Sequence, residues 1–260
     1  MQIPERESTL LKDYIHREYN YVKSLPLNPS YSEEKNAVIV EPRSGLMTEL
    51  DFVIKNVLHF LGPEWGLYIF YGSNNQELIE NAYADKQIHL INLDTPNLSP
   101  SQHNYLLTQK FFWNTIKSEK IFIFQTDSFL RRKGIEEFMK YDYIGAPWFD
   151  SSPNNPMDYS GGNGGLSLRS KKAMLDCIQQ FAYPPNLPED IFFTHSLYHL
   201  KNPNVPPREV AKSFSVETVF HPDPLGLHRP DIWLTDEEVL SLLNINYEDP
   251  ARKKAPQPSS

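Results

Sequence analysis

The sequence is poor in cysteine, long apolar segments and basic clusters, and each of these features limits the possible structures and partners of the chain. A single cysteine, Cys177, rules out an internal disulfide and favours a reducing compartment. No apolar segment is long enough to span a membrane, and the first residues lack the apolar core of a signal peptide, so we expect a soluble, cytoplasmic protein. The formal net charge is −8, and basic clusters occur only at 131–133 and 252–254. Nucleic acid is therefore not expected as a main partner.

Glycine is also scarce, yet it is concentrated in one window. Five of the 11 glycines fall between positions 145 and 165, and four of these lie in Gly161–Gly165. A single turn that needs positive φ would not require so many. We therefore predict a glycine loop whose backbone amides approach a ligand, with an ordinary turn as the alternative.

Apolar strands alternate with amphipathic helices through the first half of the chain. Strands are predicted at 37–40, 65–71, 88–93 and 121–124, and helices at 5–24, 46–60, 76–82 and 101–118. This alternation predicts an α/β fold, a mostly parallel sheet covered by helices on both faces within a single domain. Because the carboxyl ends of parallel strands form one edge, we expect a nucleotide to bind there.

The second half of the chain has shorter segments and more loops. Short strands are predicted at Ile144 and at 166–168, and a helix at 171–181 places Cys177 in the core. Thr235 and Glu238 form a capping box that begins the last helix. The resulting division is an N-terminal helix and connector (1–36), a main domain (37–247, with halves 37–128 and 129–247) and a disordered tail (248–260).

Asp127 follows four consecutive apolar residues, Ile121–Phe124, near the carboxyl end of a predicted buried strand. A carboxylate there suits a hard cation, which could in turn hold a phosphate-bearing substrate. The common alternative is an Asp that caps a turn or helix, and the strand alone favours this alternative. The polar segments downstream reverse that preference.

Two further polar features occur late in the chain. Glu189 and Asp190 precede the aromatic run Ile191–Phe193, where a partly desolvated carboxylate would make a better base, although both acids could simply cap a helix. His228 lies in a loop rich in proline and glycine that could return its imidazole to the sheet edge. A lone histidine is more often structural than a ligand.

Together these features resemble the GT-A class of glycosyltransferases, and more closely a family of uncharacterised glycosyltransferase-like domains. The resemblance covers roughly residues 37–230. Its motifs are Val40–Arg43, Phe124–Ser128, Tyr141–Trp148, Gly162–Arg169 and Glu189–Phe193, with further matches at Phe214–Glu217 and Gly226–His228.

The resemblance implies a metal-dependent, inverting glycosyltransferase. Such an enzyme moves a sugar from a nucleotide-diphosphate donor, a UDP- or GDP-sugar, to a glycan or another hydroxyl acceptor. Mn²⁺ (or Mg²⁺) would be held by Asp127 and His228, and Asp190 would be the catalytic base. One departure from the family pattern is Gln125, which replaces the first acid of the usual Asp-X-Asp. Its effect would be weaker metal affinity or partial metal dependence.

The resemblance also assigns binding residues. The donor would be bound by Arg43, Gln125, Thr126 and Asp127, although Arg43 could equally form a surface salt bridge. The sugar or acceptor would be bound by Asp142, Trp148, Asn163, Gly164, Gly165 and Glu189. Trp148 could stack on a sugar or be an ordinary core residue.

Two other functions stay open at this point. One is a non-catalytic nucleotide-sugar or glycan-binding domain of the same fold, for which Gln125 leaves room. The other is a nucleotidyltransferase, which would normally carry a glycine-rich basic signature near the first strand. The segment 40–45 matches that signature poorly. Turnover of a donor sugar, rather than binding alone, separates an enzyme from a binding domain.

Overall fold

The structure, a computed structural model, describes residues 9–148 and 162–247. The strands are β1 (Lys35–Val40), β2 (Gly66–Tyr71), β3 (His89–Asn92), β4 (Lys120–Phe124), β5 (Ser128–Leu130), β6 (Tyr143–Pro147), β7 (Gly162–Ser170), β8 (Ser215–Val216) and β9 (Gly226–His228). The helices are α1 (Leu10–Ser24), α2 (Met47–Leu61), α3 (Gln76–Tyr83), α4 (Pro100–Leu107), α5 (Lys110–Thr115), α6 (Lys171–Gln180), α7 (Glu189–Tyr198), α8 (Arg208–Phe214) and α9 (Asp236–Leu242).

Six strands form the main sheet in the order β3-β2-β1-β4-β7-β6. The first four are parallel, β7 runs antiparallel to β4, and β6 runs antiparallel to β7. The carboxyl ends of β1, β4 and β6 therefore lie at one edge of the sheet, together with the amino end of β7. The predicted α/β class, with a mostly parallel sheet in one domain, is confirmed.

Helices cover both faces of this sheet. Alternate residues of a strand point to opposite faces, and β1 divides accordingly, with Ala37 and Ile39 in one apolar cluster and Val38 and Val40 in the other. The first cluster includes α1, α2, α9 and the residues up to Tyr247, and the second includes α5, α6 and α7. Cys177 is buried in the second cluster, where burial raises the pKa of its thiol to about 12.

Helix α1 packs against α2 and buries Leu11, Tyr14, Ile15 and Val22. It begins at Leu10, later than the predicted start at residue 5, and residues 1–8 lie outside the described part of the chain. The predicted tail at 248–260 also lies outside the described residues. Within the described ranges, no helix is long and apolar enough to cross a membrane.

Two predicted elements differ in the structure. The helix predicted at 101–118 is two helices, α4 and α5, because the chain turns at Thr108, whose hydroxyl donates to the carbonyl of Tyr105 (2.8 Å). The predicted glycine loop is the first half of strand β7 from Gly162 onward, and Gly161 is not described. The prediction of a loop was wrong because glycine there provides space between neighbours, as shown below.

A second sheet was missed entirely. It has three short strands in the order β5-β9-β8, and β5 follows β4 after a turn of three residues. Strand β9 pairs with β5 so that His228 lies opposite Ser128. This pairing places His228 beside the residues that follow β4. Short strands of two or three residues have no detectable alternation in sequence, which is why they escaped prediction.

Candidate active site

The residues predicted after β1 and β4 meet at the carboxyl edge of the sheet. Arg43 lies beyond the end of β1, and its guanidinium contacts the Thr126 hydroxyl beyond the end of β4 (Nη2–Oγ1 3.4 Å). Glu41 orients Arg43 by accepting from Nε (2.8 Å) and Nη2 (2.5 Å). Glu41 is buried, whereas the Arg43 side chain is 53% exposed. The guanidinium is thus fixed on one side and open to solvent on the other.

One carboxylate oxygen of Asp127 has no hydrogen-bond donor within the described residues and is paired only with the more distant imidazole of His228. Its side chain is 40% exposed overall, but Oδ1 is buried and accepts no hydrogen bond within the described residues. The nearest cation to Oδ1 is His228, with Nε2 at 3.5 Å, while Arg229 Nε lies 3.4 Å from Oδ2. A buried oxygen without a donor is unusual, because desolvation without a compensating partner costs free energy.

His228 lies among oxygen and amide groups on both sides of its ring. Nδ1 is 2.9 Å from Glu217 Oε1 and 3.0 Å from Asn163 Nδ2. Nε2 is 3.2 Å from Gln125 Oε1 and faces Asp127. The ring is 9% exposed, so these four side chains make up most of its polar surroundings.

Charges in this group shift two pKa values. Burial alone lowers the pKa of His228, but Asp127 and Glu217 outweigh it and raise that pKa to about 10. Burial alone raises the pKa of Asp127, but His228 and Arg229 outweigh it and hold that pKa below its usual value. In the absence of a bound cation, Asp127 and His228 therefore form a charged pair.

Asp190 approaches β7 from the opposite face, at the start of α7. Its Oδ2 accepts from the backbone N–H of Gly164 (3.0 Å) and its Oδ1 from the N–H of Ile191 (2.8 Å). Burial, and then the charge of Glu189, raise the pKa of Asp190 to about 7. A carboxylate with a pKa near neutrality is suited to accept a proton.

Beneath Asp190 lies a buried ion pair. Arg169 is fully buried and donates to both oxygens of Glu189, from Nη1 (2.5 Å) and Nη2 (2.8 Å). The Arg169 guanidinium also donates to Ser167 Oγ (2.9 Å) and lies over the Tyr143 ring, 4.7 Å from its centroid. Burial alone lowers the pKa of Arg169, but Glu189 and other neighbours hold it above its ordinary value. The pair is bidentate and compensated, which makes it a fixed support for α7.

The two glycines in the middle of the motif make room for these groups. A Cβ on Gly164 would overlap the carboxylate of Glu189, and a Cβ on Gly165 would overlap the imidazole of His228. Neither glycine has positive φ, so space is what each position requires. Adjacent residues of a strand point to opposite faces, so Asp190 and His228 contact the same short segment from its two sides.

The structure brings most of the predicted residues together and places others elsewhere. Asp142 is the clearest correction, because it lies at the start of β6, at the opposite end of the sheet from Asp127. Its carbonyl accepts from Ser170 N (2.8 Å) and its carboxylate from Asn204 N (2.8 Å). These contacts contradict the prediction that Asp142 lines a sugar pocket.

Two other predicted sugar-binding residues are occupied by protein contacts. Both oxygens of Glu189 are bonded to Arg169, and Asn163, which is buried, accepts from Ala146 N through Oδ1 (3.3 Å) while Nδ2 faces His228. In the structure both side chains are used in contacts within the protein, and their contact with sugar or acceptor stays a prediction. Trp148 does lie at the expected edge, beyond β6, and its proposed stacking stays a prediction.

Three residues of the site were not assigned from sequence. Glu217 and Arg169 each occupy the last position of a quoted motif, but neither motif contains the oppositely charged partner that the residue contacts in the fold. Arg229 follows His228 and adopts a left-handed backbone (φ 44°), while its N–H donates to the carbonyl of Asp127 (3.1 Å). No sequence signal marks such a conformation for arginine.

The described residues hold no group of three or more His, Cys, Asp or Glu side chains that could bind a metal ion. Asp127 and His228 form a pair only, since Gln125 occupies the place of a further acid. The unsatisfied Oδ1 of Asp127 nevertheless fits a cation that completes its coordination with oxygens from a ligand and water.

Fold and site together define an α/β protein with a polar, partly buried cluster at the carboxyl edge of its sheet. The chain belongs to the family described as "Protein of unknown function (DUF5672)", whose profile matches residues 87–228, more than half of the chain. The matched segment contains Asp127, Gly162–Gly165, Asp190 and His228, whereas Arg43 precedes it. No curated protein matches the chain in sequence.

The solved structures that resemble the chain do so only distantly. The apo form of the glycosyltransferase GlyE from Streptococcus pneumoniae TIGR4 has a TM-score of 0.48 at 11% identity, covering 82% of this chain and 61% of GlyE. S. aureus TarS 1–349 in complex with UDP-GlcNAc has a TM-score of 0.44 at 14% identity, covering 63% of this chain and 53% of that structure. The chain thus spans less than two thirds of either structure. Likenesses at these scores decide nothing about its chemistry.

Proposed function

We propose that the chain is a GT-A-type glycosyltransferase that moves a sugar from a nucleotide-diphosphate donor to a hydroxyl group of a glycan or other acceptor. The observation that carries this proposal is the buried, unsatisfied Oδ1 of Asp127 beside His228 Nε2. It lies at the sheet edge where α/β proteins bind nucleotides. A potential base, Asp190, reaches the same segment of β7 from its other face.

Two arginines support an anionic donor. Arg43 and Arg229 are 53% and 46% exposed, and they lie on the two flanks of Gln125–Asp127. The chain as a whole is acidic, with a net charge of −8. The two arginines at this edge therefore provide local positive charge that an anionic donor would need. A guanidinium binds phosphate oxygens in bidentate fashion, and we assign Arg43, with Thr126 and Gln125, to the donor.

Asp127 and His228 would hold the metal ion, Mn²⁺ or Mg²⁺. When bound, the ion would offset the negative charge that accumulates on the leaving diphosphate. The protein supplies one carboxylate oxygen and one imidazole nitrogen, and the donor diphosphate and water would supply the other ligands. Gln125 brings an uncharged oxygen where related sites have a carboxylate, which predicts modest affinity for the ion without donor.

Asp190 is proposed as the base that accepts the proton of the acceptor hydroxyl as that oxygen attacks the anomeric carbon. Its pKa of about 7 leaves much of it ionised at neutral pH while keeping it basic enough to accept a proton. Attack from the face opposite the leaving diphosphate would invert the configuration at that carbon.

A second function is favoured by one observation. Because Gln125 removes a carboxylate from the site, a nucleotide-sugar or glycan-binding domain without turnover would also fit. The two functions differ in what Asp190 does. Transfer requires a group that accepts the proton of the acceptor hydroxyl, the role proposed for Asp190, whereas binding alone does not.

The first experiment is calorimetric titration of the protein with a panel of UDP- and GDP-sugars, with and without Mn²⁺. We expect one donor to bind with Mn²⁺, and Asp127→Ala to lose that binding. The matched control is Asp85→Ala, since Asp85 is 81% exposed. Absence of binding to every donor in both conditions would reject the proposal. Binding followed by no transfer to any glycan acceptor would favour the binding domain.

A further inference from the structure

Glu217 has been given no part in binding the metal ion or the donor, yet it makes a closer contact with His228 than Asp127 does. Its Oε1 lies 2.9 Å from His228 Nδ1, against 3.5 Å between Asp127 Oδ1 and Nε2. The Glu217 side chain is only 13% exposed. Among the described residues, His228 is its hydrogen-bond partner and no lysine or arginine pairs with it.

The small sheet explains why Glu217 lies there. Strand β8 ends at Val216, which pairs with Leu227 of β9, so the next residue of each strand comes side by side. Strand β9 is held on its other edge by β5, where Ser128 pairs with His228. The sheet thus connects Glu217, His228 and the segment that carries Asp127 through backbone pairing.

Asn163 is the other neighbour of Nδ1, and its orientation is fixed independently. Its Oδ1 accepts from the N–H of Ala146 (3.3 Å), so its amide group presents Nδ2 to the ring. A rotated amide would place two donors against each other at Ala146. Asn163 therefore offers Nδ1 no acceptor, and of these two neighbours only Glu217 can accept a hydrogen bond from it.

We propose that Glu217 is a positioning residue that accepts a hydrogen bond from His228 Nδ1 and thereby holds Nε2 toward Asp127, ready to ligate the cation. This inference rests on the proposed function and adds to it the residue that orients the metal ligand. A histidine that ligates through one nitrogen commonly donates from the other to a carboxylate, which fixes the ring and makes the ligating nitrogen more basic.

The alternative is that Glu217 merely joins β8 to β9. A residue with that role would affect stability without affecting how a cation is bound. The test therefore needs a readout that reports imidazole ligation itself. Electron spin-echo spectroscopy of bound Mn²⁺ is such a readout, because it detects the nitrogen of a coordinated imidazole.

The experiment uses the full chain with Mn²⁺ and the donor nucleotide, in the wild type and in Glu217→Gln and Glu217→Ala. Loss of an orienting partner of this kind weakens metal binding by about 10- to 100-fold. We expect that loss in Glu217→Ala, a smaller loss in Glu217→Gln, and a weakened imidazole signal in both. The control is Glu209→Gln, an acid 78% exposed on α8 that should leave binding unchanged.

The outcomes separate this inference from the proposed function. If the wild type binds Mn²⁺ with donor, Asp127→Ala loses it and Glu217→Ala keeps both affinity and imidazole signal, the positioning role is rejected and the function stands. If the wild type binds a donor but no Mn²⁺, the positioning role is rejected and donor binding stands; if it binds neither, both proposals are rejected. Glu217→Gln keeps the size of the side chain. If Glu217→Ala does not fold, the measurement on Glu217→Gln therefore still decides the question.

Discussion

One face of β7 is occupied at Gly164 by a buried ion pair between Arg169 and Glu189. We call it the sealed pair, because both side chains are buried and each charge is compensated by the other. On the other face, at Gly165, His228 lies between two carboxylates, and Asp127 keeps a buried oxygen without a donor. The first arrangement is a support, since each polar atom has a partner. In the second arrangement one buried oxygen lacks a hydrogen-bond donor. A ligand that supplies a partner for such an atom gains binding free energy, because it removes the cost of desolvation. Four predictions test this difference.

The largest effect is expected at Asp190, which stands on the sealed pair. Asp190→Asn keeps the size of the side chain and its hydrogen bond from Gly164 but removes the base. Loss of a general base lowers the rate by about 10²- to 10⁴-fold. Donor affinity should change little, which calorimetry of the donor beside a transfer assay would measure. Normal transfer by Asp190→Asn, with Asp85→Asn as control, would show that another group accepts the proton.

The sealed pair itself should matter mainly for folding. Removing one partner of a buried pair leaves the other charge uncompensated, which costs about 3–5 kcal/mol. Arg169→Met is therefore expected to lower the free energy of unfolding by that order, as measured in urea. Substitution of both partners, Arg169→Met with Glu189→Met, should recover much of the loss.

A surface pair provides the control for that measurement. Lys172 and Asp176 are spaced i, i+4 on α6, and Lys172 is 77% exposed. Lys172→Met should leave stability nearly unchanged, because solvent screens exposed pairs. Equal effects at Arg169 and Lys172 would contradict the view that the pair at β7 is a buried support.

The two glycines allow the same substitution to be made on either face. Gly165→Ala places a methyl group against the His228 ring, and Gly164→Ala places one against Glu189. We expect Gly165→Ala to weaken Mn²⁺-dependent donor binding by about tenfold or more, because a displaced ligand or orienting partner has effects of that size. Gly164→Ala should instead lower stability and the transfer rate. Donor titration, unfolding and transfer should be measured on both variants. Identical effects of the two substitutions would contradict the view that the two faces of β7 have different roles.

The sequence predicted the parallel sheet and several residues at its carboxyl edge. It did not predict which side chains those residues contact. Asp127 could be singled out because a polar residue after an apolar run is a local signal, whereas Asp190 was assigned from the resemblance of the Glu189–Asp190 step to a family motif. The partnership of Glu189 with Arg169 spans 20 positions, and that of His228 with Gln125 spans 103. Such contacts follow from strand pairing, and the pairing of β5, β8 and β9 left no periodic pattern. Glycine was recognised as permitting close approach, but the approaching groups proved to be protein side chains.

The smallest effect is expected from pH, and it bears on the face that carries Asp190. Burial and Glu189 raise the pKa of Asp190 to about 7, so transfer should rise as pH increases through 7 and level off above 8. Below pH 7, each unit should lower the rate by about tenfold, as expected for a single ionisation.

Stability should change in the opposite direction. A carboxyl whose folded pKa is raised stabilises the fold most at low pH, and this contribution is lost as pH rises from about 4 through 7. Asp190→Asn has no such group, so its unfolding free energy relative to the wild type should increase between pH 5 and pH 8. Urea unfolding at the two pH values measures this difference. A flat rate profile together with an unchanged stability difference would place the ionisation of Asp190 outside the neutral range and remove the reason for choosing it as the base.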